Sequence, residues 1–221
     1  ATTEIYTLSL HDALPIYVAD GLFRTENSLY NGIEQTGKGL GRIRYRDLNK
    51  DFYINDKDRD WLGSSNPVLT GGLNIAMAWK GFDLTLFFNG MVRKAWNNSK
   101  TYTDFFQLWL GNHGRNLLRA WDPDANFDSD IPALTLQDVN NEVRGSTYFI
   151  EDGSFVKLKN AQLGYTLPPG VRNWLHMKSA RIYVTGSNLF TLTRYTGLDP
   201  EVLGYSYPLP RTFTLGINVG F

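Results

Sequence analysis

The sequence predicts an all-β fold whose antiparallel strands are long enough to cross a membrane, as in a transmembrane β-barrel. Apolar and polar residues alternate with a period of two over several segments of about ten residues, which is a strand signal. The connections between these segments are short and long in turn, as in outer-membrane barrels. A tilted strand needs about 9–11 residues to cross a bilayer. Length and alternation together therefore favour a membrane wall.

The last segment, Thr212–Phe221, shows the pattern most clearly. One face carries only apolar residues and the other carries threonine, asparagine and glycine without any charge. The chain also ends on an aromatic residue, Phe221, which suits the aromatic girdle of a barrel. A half-buried strand of a soluble sheet alternates in the same way. The uncharged second face and the terminal aromatic favour the barrel.

Four further strands follow the same pattern. Two of them form a predicted hairpin through the two-residue turn Lys80-Gly81. Another strand, Ser154–Thr166, loses its alternation near Asn160-Ala161, which predicts a β-bulge. The five predicted strands are Leu69–Trp79, the strand that starts at Phe82 and runs to Val92, Ser154–Thr166, Ala180–Thr191 and Thr212–Phe221.

The connections predict the orientation of the strands. Lys80-Gly81 and Leu167–Ser179 are the shorter connections, whereas Arg93–Thr147 and Leu192–Arg211 are long and polar. In outer-membrane barrels the short turns face the periplasm and the long loops face outward. We therefore expect residues 17–68 to form an extracellular loop region, residues 69–221 to form strands and loops of the barrel, and Phe221 to lie at the periplasmic rim.

Composition excludes several classes of function. The 221 residues carry 22 basic and 22 acidic side chains, so the net charge is zero. The chain therefore lacks the excess of positive charge that favours binding to nucleic acid. Without cysteine, the chain has no thiolate metal site and no cysteine nucleophile. His113 and His176 have no acid or serine at a catalytic spacing, so we expect no enzyme and no cofactor. Mean hydropathy is −0.30, which a barrel explains because its lumen-facing residues are polar.

The first sixteen residues are interpreted as an artefact. Ala1–Ile16 reads ATTEIYTLSLHDALPI and matches no element signal and no signal peptide. The in-frame translation of a sequencing-adapter oligonucleotide reproduces Glu4–Ile16, so we expect residues 1–16 not to be native. The proximity of Ser9, His11 and Asp12 therefore has no catalytic meaning.

From Tyr17 onward, five stretches together resemble the C-terminal part of SusC/RagA-type TonB-dependent outer-membrane transporters of Bacteroidetes. Their order and spacing carry the resemblance. The stretches are Ala19–Phe23, Tyr45–Asp58, Lys80–Leu84 with Phe87-Phe88, Glu151–Pro168, and Ala180–Thr193 followed by Tyr207–Phe213.

The resemblance implies a 22-stranded barrel in the cell outer membrane, with a lumen that is blocked by a plug domain. It further implies a SusD-type lipoprotein as partner, import of glycans or peptides, and contact with the TonB complex through the plug. These residues include no plug, so we do not expect them to transport anything alone. The alternative function is a soluble carbohydrate-binding β-sandwich; soluble strands usually run about five or six residues, however.

An Asp-rich stretch is similar to a calcium loop. Asp47, Asn49 and Asp51 place oxygens at positions 1, 3 and 5, and Asp58 lies at position 12. Position 6 requires glycine for a sharp turn but holds Phe52, and position 12 normally holds glutamate. We therefore expect a polar Asx-turn loop, with calcium binding as the less favoured alternative.

Loop aromatics are the candidates for ligand contact, because their rings can stack on sugars or grip peptide side chains. These residues are Trp96, Tyr102, Trp121, Tyr205 and Tyr207. The rival interpretation is a small core within the loop, which we favour for Phe105 and Trp109.

Phe213 and Phe221 have a second predicted role. A terminal aromatic on an alternating strand resembles the signal that the barrel-assembly machinery recognises. Anchoring at the interface of the lipid bilayer would use the same surface.

Overall fold

The computed structural model describes residues 15–61, 66–97, 99–105, 112–202 and 207–221. Its strands are β1 (Ile16–Tyr17), β2 (Ala19–Leu22), β3 (Ile43–Tyr45), β4 (Arg59–Asp60), β5 (Leu69–Trp79), β6 (Phe82–Val92), β7 (Lys94–Trp96), β8 (Ile150–Asp152), β9 (Phe155–Thr166), β10 (Ser179–Thr193) and β11 (Thr212–Gly220). Its α-helices are short: α1 (Glu26–Tyr30), α2 (Lys100–Thr103) and α3 (Pro169–Trp174). Single 3₁₀ turns cover Asp56–Asp58, Arg115–Arg119 and Thr147–Phe149. None of the helices in these ranges is long and apolar enough to cross a membrane.

The chain divides into two compact units. The first, called the loop unit here, contains residues 15–61 and Trp96–Glu151. The second, called the sheet unit, contains Asn66–Ala95 and Asp152–Phe221. Residues 1–16 were interpreted as an adapter artefact, and residues 1–14 of this segment lie outside the described part of the chain. Ile16 pairs with Asp60, and Tyr17 pairs with Arg59.

The sheet unit is one antiparallel sheet of five strands in the order β11-β10-β9-β6-β5. All five strands expected from the alternation are present, and β5, β6, β9 and β10 have 11, 11, 12 and 15 residues. Strand β11 has 9 residues. The all-β fold class is therefore confirmed.

The hairpin between β5 and β6 turns where the sequence predicts. Trp79 pairs with Phe82, so only Lys80 and Gly81 form the loop. Both have positive φ, 47° and 88°, which is the type I′ geometry that matches the twist of the strands. The other short connection contains more structure than the expected turn. Pro168 and Pro169 begin helix α3 because proline suits the first turn of a helix.

The register of the strands separates two faces. One row across the sheet is apolar and joins Met77, Leu84, Leu163, Val184 and Leu215. These side chains are mostly exposed, as a lipid-facing surface requires. The neighbouring row on the other face is small or polar and joins Ala76, Thr85, Gln162, Thr185 and Thr214.

The predicted irregularity in β9 is a confirmed bulge. Phe87 of β6 pairs with Asn160, but the next residue, Phe88, pairs with Leu158, so Lys159 has no partner in the ladder. Two consecutive polar residues, Lys159 and Asn160, are absorbed in this way. Leu158 consequently stays on the apolar face in spite of the interrupted alternation.

The loop unit has its own hydrophobic core. Its fully or largely buried members are Tyr17, Leu22, Ile43, Tyr45, Phe105, Trp121 and Phe149. Phe105 is therefore a core residue, as favoured from the sequence, whereas Trp109 lies outside the described residues. The long connection expected after β6 thus contributes Phe105 and Trp121 to a packed core.

Buried polar side chains join the two segments of the loop unit. Gln35 Nε2 donates to Ile43 O (2.8 Å), and Gln35 Oε1 accepts from Tyr45 N (3.0 Å). Glu142 Oε1 accepts from Ile43 N (3.0 Å), and Glu142 Oε2 pairs with Arg42 Nη1 (2.9 Å). These side chains bond one edge of β3 as a neighbouring strand would. Burial raises the pKa of Glu142, although Arg42 and the Ile43 N–H oppose this shift.

Candidate functional site

The polar face of the five-stranded sheet carries an ion pair near its short turns. Arg181 of β10 binds Asp83 of β6 with two nitrogens, and the Nε–Oδ1 distance is 3.0 Å. The pair crosses β9 at Gly164, where a Cβ would overlap both charged groups. The ring of Tyr183 similarly covers Gly216, and the guanidinium of Arg181 lies 5.1 Å from that ring's centroid. Glycine at these two positions lets the charged and aromatic groups lie against the wall.

A second charged cluster, called the lysine cluster here, lies at the end of the sheet with the long connections. Lys157 Nζ lies 3.1 and 3.2 Å from the two oxygens of Asp199 and 2.8 Å from Glu201 Oε2. Lys159 binds the other oxygen of Glu201. Lys157 and Asp199 are buried, whereas Lys159 is partly exposed.

Electrostatics keep both carboxylates of the lysine cluster ionised. Burial alone would raise the pKa of Asp199, but the N–H groups of Glu201 and Leu209 and the ammonium of Lys157 outweigh it and lower the pKa. The pKa of Glu201 is lowered because Lys157 and Lys159 outweigh its burial. Since both pKa values are lower in the folded protein than in the unfolded chain, the lysine cluster stabilises the folded protein at pH values above the ordinary carboxyl pKa range. Its contribution is lost as the pH falls through the lowered values.

A polar cavity of ≈ 330 Å³ adjoins the lysine cluster. Strands contribute Lys157, Thr191 and Thr193 to its lining, and the β10–β11 connection contributes Leu198, Asp199 and Pro208. Tyr207, one of the predicted ligand aromatics, precedes Pro208 and is 93% exposed. The structure therefore places one predicted aromatic one residue before the lining of this cavity, which adjoins a charged cluster that the sequence analysis did not predict.

Two predicted ligand aromatics pack inside the loop unit. Trp121 is only 6% exposed and belongs to the hydrophobic core, so its predicted ligand contact is corrected to a packing role. Trp96 stacks on Phe149 with 5.2 Å between ring centroids, so one of its faces is occupied. Tyr205 and the side chain of Tyr102 lie outside the described residues. Ligand contact by Trp96, Tyr102, Tyr205 and Tyr207 stays a prediction.

The Asp-rich stretch folds as a loop of Asx turns. Asp47 Oδ2 accepts from Phe52 N (2.8 Å), and Asn49 Oδ1 accepts from Asp51 N (3.0 Å). Phe52 adopts φ 67°, the left-handed conformation for which position 6 of a calcium loop normally uses glycine. Asp58 is buried and accepts from Leu48 N (2.9 Å) and Asn55 N (2.8 Å).

The oxygens of Asp47, Asp51 and Asp58 all lie within 4.8 Å of one another. Within the described residues, however, each carboxylate already accepts backbone N–H groups, and Asn49 Nδ2 donates to Asp51 Oδ2 (2.8 Å). The geometry thus agrees with the favoured Asx-turn interpretation, and calcium binding stays a prediction.

The aromatics of the predicted assembly signal are both exposed. Phe213 pairs with Gly186 on the apolar face of the sheet, and Phe221 follows the end of β11. Both are therefore accessible to lipid or to another protein. Their recognition by an assembly machinery stays a prediction.

Known proteins are similar to this chain in sequence and in fold. TonB-dependent receptor P3 of Formosa agariphila is 34% identical over 197 residues, which cover 80% of this chain and 19% of the receptor. TonB-dependent receptor SusC of Bacteroides thetaiotaomicron is 31% identical over 155 residues, or 68% of this chain and 15% of the receptor. The solved RagAB peptide transporter superposes with a TM-score of 0.72 and 25% identity over 95% of this chain and 22% of its own. No family model matches the chain.

The chain is a SusC/RagA-type TonB-dependent receptor segment. It spans about a fifth of the length of the receptors it matches. The predicted outer-membrane location is confirmed by this relationship, and the relatives are receptors rather than enzymes.

Proposed function

We propose that this SusC/RagA-type segment forms part of the wall of a 22-stranded outer-membrane importer of glycans or peptides. The observation that carries the proposal is the two-faced sheet, which has an exposed apolar face and a polar face across five strands. An apolar outer band and a polar lumen are what a transmembrane barrel requires. A soluble sandwich would cover its apolar face with a second sheet.

The orientation follows from the connections. The turn Lys80-Gly81 and the connection that contains α3 face the periplasm, and the β10–β11 connection faces outward. The Asp83–Arg181 pair then lies at the periplasmic end of the lumen wall, and the lysine cluster lies at the extracellular end. Tyr207 is consequently placed at the mouth of the barrel, where an arriving ligand makes its first contacts.

The partners follow from the same relationship. A SusD-type lipoprotein captures the ligand at the extracellular mouth, and the TonB complex acts through a plug domain in the full-length protein. The RagAB relative is a peptide transporter. The uncharged amide and hydroxyl row on the polar face suits the hydroxyls of a glycan and the amides of a peptide equally well.

The test is uptake by cells that express the full-length receptor together with its SusD-type partner. A panel of labelled oligosaccharides and oligopeptides is offered to wild-type cells and to cells without the receptor gene. We expect one of these two ligand classes to accumulate only in wild-type cells, and to stop accumulating when the proton-motive force is collapsed. Equal accumulation of both classes with and without the receptor would contradict import. An Asp122→Ala variant, altered at an exposed position of the loop unit, serves as the control with unchanged uptake.

A further inference from the structure

Lys157 is a buried cation with no acid beside it in its own sheet. Its ladder neighbours are Asn89 on β6 and Thr191 on β10, and both are uncharged. Its side chain is only 2% exposed. A buried ammonium is costly unless opposite charges and hydrogen bonds compensate it. The compensating carboxylates must therefore come from outside the ladder, and they come from Asp199 and Glu201 of the β10–β11 connection.

The two carboxylates also tie the connection together. Asp199 Oδ1 accepts from Glu201 N (2.9 Å), and its Oδ2 accepts from Leu209 N (3.3 Å). Asp199 thus joins the part of the connection that leaves β10, called the outgoing limb here, to the part that contains Leu209 and leads to β11, called the returning limb. From the other side, the guanidinium of Arg93 donates to the carbonyl oxygens of Pro200 and Glu201. The segment Asp199–Glu201 is therefore held by two cations, Lys157 within β9 and Arg93 directly after β6.

The returning limb carries Tyr207, two residues before Leu209. Its side chain is almost fully exposed, so packing of its own ring does not determine its position. The nearest described anchor is the hydrogen bond from Leu209 N to Asp199, and Lys157 in turn holds Asp199. The placement of Tyr207 consequently depends on a lysine that is 50 residues away in the sequence.

We propose that Lys157 is a positioning residue for import: by holding Asp199 and Glu201 together it fixes the returning limb so that Tyr207 is presented to the ligand at the barrel mouth. This inference rests on the proposed import function for its ligand, but the anchor itself can be tested without any ligand. The ligand class that suits Tyr207 is one with a flat apolar surface, such as a sugar ring or a peptide side chain.

The first experiment measures the mobility of the limb. Because this chain has no cysteine, a Tyr207→Cys substitution provides a single thiol in it for a nitroxide label; thiols elsewhere in the full-length receptor are replaced beforehand. Spectra of the reconstituted, labelled Tyr207→Cys receptor are compared without a further change and with Lys157→Met, Lys157→Arg or Lys159→Met added. We expect Lys157→Met to make the label mobile and Lys157→Arg to keep it restricted.

Lys159→Met is the matched control. It removes the same charge from the same strand, but Lys159 is 32% exposed and its only carboxylate contact in the described residues is Glu201. Asp199, which accepts from Leu209 N, keeps its bonds to Lys157 in this variant, so the spectrum should stay close to that of wild type. A label at Leu215, on the apolar face of β11, reports whether the sheet is intact. If Lys157→Met does not assemble, Asp199→Asn is used, because it weakens the same bonds with little change in shape.

An unchanged Tyr207 label in Lys157→Met or Asp199→Asn, with an intact sheet, would overturn the anchor. The second experiment measures uptake of the ligand found with the panel, in receptors that retain Tyr207. We expect Lys157→Met to raise the half-saturating concentration about tenfold, because fewer receptors present the binding conformation, while Lys157→Arg restores it. A mobile label with an unchanged half-saturating concentration would overturn the presentation of Tyr207 alone. Failure of import in wild-type cells would instead overturn the proposed function and leave the label result standing.

Discussion

Replacing Glu142 with alanine is expected to lower the local free energy of unfolding of the loop unit by about 3–5 kcal/mol, the usual effect of breaking a buried ion pair. Glu142 is fully buried and serves both Arg42 and the N–H group of Ile43. Its removal leaves the Ile43 N–H without this acceptor and the buried Arg42 without its carboxylate, although Arg42 Nη2 still donates to the carbonyl oxygen of Ala133. Hydrogen exchange of the Ile43 amide in the full-length receptor measures the effect, and we expect its protection to fall by at least about 100-fold.

Two control variants separate burial from charge. Glu34→Ala breaks an exposed pair with Lys38, so we expect a loss of only about 0–1 kcal/mol. Glu142→Gln keeps an acceptor for the Ile43 N–H, so its cost should lie between those of the two alanine variants. Equal protection of the Ile43 amide in Glu142→Ala and Glu34→Ala would contradict a structural role for the buried pair.

Gly37→Ala is expected to destabilise the loop unit by about 3–5 kcal/mol, through steric overlap and an unfavourable backbone conformation together. Gly37 has φ 70°, and a Cβ at this position would overlap the carbonyl of Val139 and lie 2.7 Å from Asn140 N. The backbone of Asn140 would have to move, and the hydrogen bonds of its side-chain amide to Gln35 and to the carbonyl oxygen of Ile43 would be strained. Hydrogen exchange around Ile43 again measures the loss.

Gly21→Ala is the matched control for Gly37→Ala. Gly21 also has a positive φ, 84°, but a Cβ there would meet nothing within 4 Å. Only the backbone strain of about 1–2 kcal/mol then applies. If both variants lose the same stability, steric contact with Val139 does not constrain the loop unit.

The five long strands of the sheet unit could be predicted from the sequence because their pattern is local. Alternation places Phe213, Leu215 and Ile217 on one face whatever the strand pairs with, and Lys80-Gly81 contains the glycine that a type I′ turn requires. The bulge in β9 was also predicted locally, from the loss of alternation near Asn160-Ala161. The order of the strands follows from antiparallel pairing between neighbours in the chain.

The loop unit could not be predicted because its contacts are distant in sequence. Gln35 and Asn140 are 105 residues apart, and Ile43 and Glu142 are 99 apart. No periodic pattern indicates such pairings, and the polar residues that make them resemble ordinary loop residues. For the same reason Trp121 was interpreted as a ligand aromatic, although the structure buries it.

The candidate site was predicted only in part. Tyr207 was selected as an aromatic residue of a long loop, but Lys157 was not selected because it is a lysine within an alternating strand. A retrospective signal exists: a lysine on the polar face of a membrane strand needs a partner, and Asp199 and Glu201 are the acids of the following long loop. Asp83 and Arg181 could have been matched by the same reasoning.

The most direct test of the central claim, that this sheet is a barrel wall, is a cysteine scan of β11 in the full-length receptor. Single thiols at Leu215, Ile217, Thr214 and Asn218 carry an environment-sensitive fluorophore in lipid vesicles. We expect lipid-dissolved quenchers to reach positions 215 and 217, and a water-soluble quencher to reach positions 214 and 218. Quenching by the water-soluble reagent at all four positions, without alternation, would contradict the claim.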